Sequence, residues 1–92
     1  MPTLLHEYWE NEDGGQFGPV REITDKQRPK LLPNARFVFS LYASSWFKAL
    51  QMEYDRLEFG EYIPPDGFPD EPYTAVEEAE QNQYLKNRPP VP

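Results

Sequence analysis

Between Ser44 and Gly60 the chain carries a single apolar stripe at helical spacing, and this segment constrains the fold more than any other. Stepping about 100° per residue from Trp46, Leu57 falls at about 20°, Leu50 at about 40°, Tyr54 at about 80° and Phe47 at about 100°. Lys48, Gln51, Asp55 and Glu58 fall opposite. The pattern predicts an amphipathic helix over Ser45–Phe59, capped by Ser44 or Ser45 and stopped at Gly60. A helix with one apolar face needs a second layer to cover it.

That layer is expected to be a small sheet. Ala35–Tyr42 alternates Phe37, Phe39 and Leu41 with Val38, Ser40 and Tyr42, and its residue types suit a pleated surface. Leu4–Glu10 reads as a second strand, with Leu5, Glu7 and Trp9 alternating with Leu4, His6 and Tyr8. Asn11–Gly15 has strong turn chemistry. A third strand is expected around Phe17–Ile23, on a sheet edge or starting at Val20 because of Pro19. Thr24–Asn34, with Pro29 and Pro33, reads as a polar connection.

After the helix, Glu61–Tyr73 holds four prolines and reads as an extended loop. Thr74-Ala-Val-Glu77 is a capping box opening a short helix to about Lys86. Its apolar face is poor. Arg88-Pro-Pro-Val-Pro92 has the PxxP spacing of polyproline ligands, but the simpler reading is a flexible tail over 88–92 behind a single domain over 1–87.

Six Phe, six Tyr and two Trp in 92 residues supply the bulk that a thin core requires. The expected core is Trp9, Phe37, Phe39, Leu41, Trp46, Phe47, Leu50, Tyr54 and Leu57. The fold class is therefore α+β: a small antiparallel sheet of two or three strands with one helix packed on it, then a Pro-rich loop and a short C-terminal helix.

The chain has no cysteine, which removes disulfides, thiol nucleophiles and thiolate metal sites. No signal-like start and no long apolar run are present, so a cytoplasmic protein with no membrane partner is expected. The net charge of −7 disfavours broad contact with phosphate backbones. It is unevenly placed: Arg21, Lys26, Arg28, Lys30 and Arg36 cluster early, whereas Leu57–Leu85 contains eight acids and no basic residue.

No catalytic, cofactor or metal constellation emerges, and no enzyme is expected. His6, the lone histidine, has only Glu7 and Glu10 nearby in sequence, and it is read as an exposed strand residue. Ser40, Ser44 and Ser45 lack a nucleophile elbow and are better explained by capping. Asp66, Asp70 and Glu71 do not match a calcium loop. Arg36-Phe-Val-Phe39 faintly evokes the aromatic strand of RNA-binding sheets, but the defining glycine is missing, and Phe37 and Phe39 are read as core.

The remaining lead is an excess of aromatic and apolar groups in the Pro-rich loop. Tyr62, Ile63, Phe68 and Tyr73 are the candidate partner-binding residues, on a non-catalytic protein-binding or accessory module whose partner is another protein, a basic one if it matches the surrounding acids. Two alternatives remain. One is a nucleic-acid-binding sheet using Lys26–Arg36. The other is an acidic decoy that occupies a basic groove on a target protein.

Overall fold

The computed structural model describes residues 1–90. Its elements are β1 (Leu4–Asn11), β2 (Gly14–Pro19), α1 (Glu22–Leu31), β3 (Arg36–Ala43), α2 (Trp46–Leu57) and α3 (Ala75–Asn87). The strands form one antiparallel sheet in the order β2-β1-β3, so β1 is central and both later strands are edges. The α+β architecture, with α2 against the sheet, is as the sequence predicts.

The β1–β2 hairpin turns at Glu12–Asp13 rather than through the glycines. The Asn11 Oδ1 accepts from the Asp13 and Gly14 amides at 2.8 and 3.1 Å, so a side chain closes the turn. Gly14 and Gly15 therefore lie in β2, not in the turn. A Cβ on Gly15 would run into the Tyr8 ring, which lies across it. The second strand is Gly14–Pro19, earlier than expected, and Pro19 closes it at a sheet edge.

Register sorts the side chains into two faces. Leu4 opposes Ala43, His6 opposes Leu41, and Tyr8 opposes both Phe39 and Phe17. On this face Phe39, Leu41 and Ala43 form the buried core with Ala49 of α2, and Tyr8, Phe17 and Leu57 pack around them. The Arg56 guanidinium lies over the Phe39 ring at 4.6 Å.

A β-bulge between the Tyr8 and Trp9 registers changes the expected core. Tyr8 pairs with Phe39, but Trp9 pairs with Phe37, leaving Val38 as the extra residue. Phe37 is thereby carried to the opposite face, where it meets Trp9 edge-on at 5.8 Å and stays 42% exposed. Strand alternation alone predicts Phe37 on the same face as Phe39 and Leu41.

The contact face of α2 also differs from the stripe of large residues. Ala49 is completely buried, whereas Trp46 is partly exposed and Leu50, Phe47, Tyr54 and Leu57 are only half-buried. The smallest apolar side chain takes the point of closest approach, and the bulky ones flank it. Ser45 caps the helix by accepting from the Lys48 amide at 3.2 Å. Glu58, two residues before Gly60, is the left-handed cap at its end, and Gly60 follows with φ +87°.

The segment read as a polar connection contains α1. Its Pro29 sits in the last turn and forgoes the helix bond that an N–H there would make to the Asp25 carbonyl, while Leu32 bonds back to the Arg28 carbonyl at 2.7 Å. Its one buried residue is Arg28, so polar contacts hold this helix rather than an apolar stripe. α3 begins with the expected capping box between Thr74 and Glu77. It docks through Gln81, which accepts from the Leu5 amide and donates to the carbonyls of Leu5 and Val20. Gln81 so satisfies β1 where β2 has ended.

Candidate interaction surface

The loop from Glu58 to Tyr73 is tied down at both ends. At the first, the Gln51 amide side chain accepts from the Tyr62 N–H at 2.9 Å and donates to the Gly60 carbonyl at 3.3 Å. The Tyr62 ring packs on Phe47 at 6.0 Å and edge-on against Tyr54 at 5.3 Å. At the second, Pro72 bridges Ser45, and the Tyr73 N–H donates to the Ser44 carbonyl at 2.8 Å. Between these anchors, Phe68 bonds back to Pro65 across a turn in which Gly67 takes φ +84°. That conformation favours glycine.

The four candidate residues therefore divide. Tyr62 and Tyr73 are half-buried anchors, whereas Ile63 is 79% exposed and Phe68 is 67% exposed. Phe59, which the sequence reading assigned to the helix end, is also exposed. Glu58, Glu61, Asp66, Asp70 and Glu71 are all exposed along the same segment. The prolines that mark the loop in the sequence were the usable signal. Nothing local indicated which two of the four apolar groups would turn inward.

Tyr73 reaches the one histidine. His6 is not an exposed strand residue: its exposure is 0%. It lies between Phe17 at 5.6 Å and Trp46 at 6.0 Å, and its Nε2 is 2.8 Å from the Tyr73 hydroxyl. Its Nδ1 lies 2.9 Å from the Leu4 carbonyl, which only accepts, so the proton belongs on Nδ1 and Nε2 accepts from Tyr73. Burial pushes the imidazole down from 6.5 to about 4 and the Tyr73 phenol up to about 12. A neutral histidine enclosed by three aromatic rings is a structural latch, with no room for a substrate. Glu10, the other group considered beside it, pairs with Arg36 at 2.7 Å instead.

The second polar concentration lies on the far side of the sheet. Arg88 donates to both Glu7 oxygens at 2.8 and 2.7 Å and to both Asp25 oxygens at 2.9 and 2.8 Å. Asp25 also accepts from Arg28 and from the Tyr84 hydroxyl, and Glu7 accepts from the Trp9 indole. Arg28 lies over Trp9 at 4.1 Å and donates to Gln16. Burial is the largest single effect and would raise Glu7 and Asp25, but the hydrogen bonds from Arg88, joined by Trp9 at Glu7 and by Tyr84 and Arg28 at Asp25, together with the Arg88 charge outweigh it and hold both carboxyls below their ordinary values. Two carboxylates and two guanidiniums balance in charge.

The cluster joins β1, α1, α3 and the residue after α3. Arg88, expected to begin the tail, thus belongs to the folded body. Of the rest of that segment, Val91 and Pro92 lie outside the described residues. A groove of about 620 Å³ opens beside the cluster, lined by Trp9, Pro29, Leu32, Tyr84, Pro89 and Pro90 among others. Its charged groups are already paired with one another, which is the signature of a clamp rather than of a site awaiting a ligand.

Among the described residues, no group of three or more His, Asp or Glu is placed to hold a metal ion, and no helix is long and apolar enough to cross a membrane. Comparison of the chain with protein-family models, with curated proteins and with solved structures returned no match.

Proposed function

We propose that this chain is a non-catalytic protein-binding module, and that residues 63–71 are the surface that meets a basic partner protein. The observation that carries the reading is the exposure of Ile63 and Phe68 on a loop pinned by Tyr62 and Tyr73. A loop fixed before binding loses less entropy on docking, and its prolines reduce that loss further. Large apolar groups presented this way serve as anchors for a partner pocket, and the acids around them supply a negative rim that steers a basic surface. Occupation of a basic groove, as a decoy would do, uses the same residues. Its lack of cysteine suits a reducing cytoplasm. The nucleic-acid reading has less support, because the bulge sets Phe37 and Phe39 on opposite faces and leaves them no shared stacking platform.

The test is affinity capture from source lysate with the wild-type chain and with Phe68→Ser, followed by mass spectrometry. The expected result is a basic protein retained by wild type, released by salt and lost with Phe68→Ser. Capture that is indifferent to Phe68→Ser and to Ile63→Ser contradicts the reading. Salt-sensitive retention of the chain on immobilised nucleic acid would favour the alternative.

A further inference from the structure

The two edges of the sheet are protected to very different degrees. β2 is short, contains three glycines and ends in a proline. β3 runs eight residues from Arg36 to Ala43 with no proline and no charge after Arg36. Its only strand partner is β1, and among the described residues no other backbone group bonds to it. An edge of this kind presents a row of unpaired N–H and C=O groups ready for another strand. Phe37, Val38 and Tyr42 all remain exposed along it.

We infer that β3 is a dimerisation edge, pairing antiparallel with β3 of a second copy to make one continuous six-stranded sheet. Two observations select a second copy over an unrelated extended peptide. The first is self-complementarity. With Ser40 on the two-fold axis, Val38 falls opposite Tyr42 and Phe39 opposite Leu41, each pair formed twice. Apolar and aromatic pairs of this kind stabilise neighbouring strands.

The second is charge. Two bodies of net charge −7 repel unless they meet where acids are absent, and no acid occurs from Lys26 to Met52. The bulge at Val38 sharpens the local twist without interrupting Phe39–Ala43.

This inference does not depend on the 63–71 loop. The test is sedimentation equilibrium of the full chain from low to high micromolar concentration. It compares wild type, the double variant Val38→Lys/Tyr42→Lys, and Phe68→Ser. Both β3 positions are exposed, so circular dichroism should show the double variant folded. Wild type and Phe68→Ser should rise from the mass of one 10.8 kDa chain towards that of two, and the double variant should stay at one. Concentration-dependent protection of β3 amides in hydrogen exchange should accompany the wild-type rise. A wild type that stays at one chain mass overturns the inference, as does a dimer that survives Val38→Lys/Tyr42→Lys. Loss of the dimer in Phe68→Ser would also overturn it, placing the contact on the loop.

Discussion

Replacing Arg88 with alanine is expected to destabilise the protein by about 3–5 kcal/mol at neutral pH, the usual cost of removing one member of a buried ion cluster. In a domain this small that is a large share of the whole stability. Among the described residues Arg88 alone bonds both Glu7 and Asp25, with its side chain almost fully enclosed. Without it Glu7 keeps only the Trp9 indole, and Asp25 keeps Arg28 and Tyr84. The remaining charge is −1 in a site that water barely reaches.

The loss should come from the stranded carboxylates more than from the missing arginine. The triple variant Glu7→Gln/Asp25→Asn/Arg88→Met should therefore recover much of it, since a buried ion group replaced as a whole is often neutral. Denaturant midpoints for the two variants check both statements. A midpoint for Arg88→Ala equal to that of wild type would show that the cluster holds nothing.

Acidification from pH 6.5 to pH 4 is expected to remove about 3 kcal/mol through His6 alone. The folded imidazole titrates at about 4 and the unfolded one near 6.5, so between these values only the unfolded chain takes the proton. Stability from this source is complete above pH 6.5, falls as pH drops, and levels off below 4. Glu7 and Asp25 act in a lower window. Their folded values are depressed, so their contribution is present above the ordinary carboxylate range and is lost as pH falls through it. Denaturant titrations at half-unit pH intervals should show both regions. His6→Gln should flatten the upper one and leave the lower one in place, whereas an unchanged slope in that variant would assign the upper region to another group.

The features that were legible in the sequence are those set by local chemistry. Ser45 caps α2, and Thr74 with Glu77 opens α3, because a cap is completed within one turn. The strand assignments of β1 and β3 follow from residue type and alternation. The features that were not legible depend on partners distant in the chain. α1 has almost no apolar stripe and stands because Asp25 meets Tyr84 and Arg88, 59 and 63 residues away, and Arg28 meets Trp9 and Gln16. His6 is buried because Tyr73 supplies a donor 67 residues away. The bulge at Val38 reverses Phe37 with no mark in the alternation. The burial of Ala49 has no mark in a stripe of large residues, because close helix–sheet approach selects a small one. In the loop, proline content revealed an ordered segment, but the inward turn of Tyr62 and Tyr73 needed Gln51, Ser44 and His6 in place.

Partner binding through the loop requires its division into two anchors and two outward groups, and one denaturation series tests that division. Ile63→Ser/Phe68→Ser and Tyr62→Ser/Tyr73→Ser are unfolded beside wild type at neutral pH, and their midpoints are compared at equal slope. Exposed positions change stability by about 0.5 kcal/mol or less, so the Ile63/Phe68 pair should match wild type. Truncation of two packed aromatics should cost several-fold more. Loss of stability in the Ile63/Phe68 pair, with the Tyr62/Tyr73 pair at the wild-type midpoint, would contradict the account and make the exposed residues part of the fold rather than a surface for a partner.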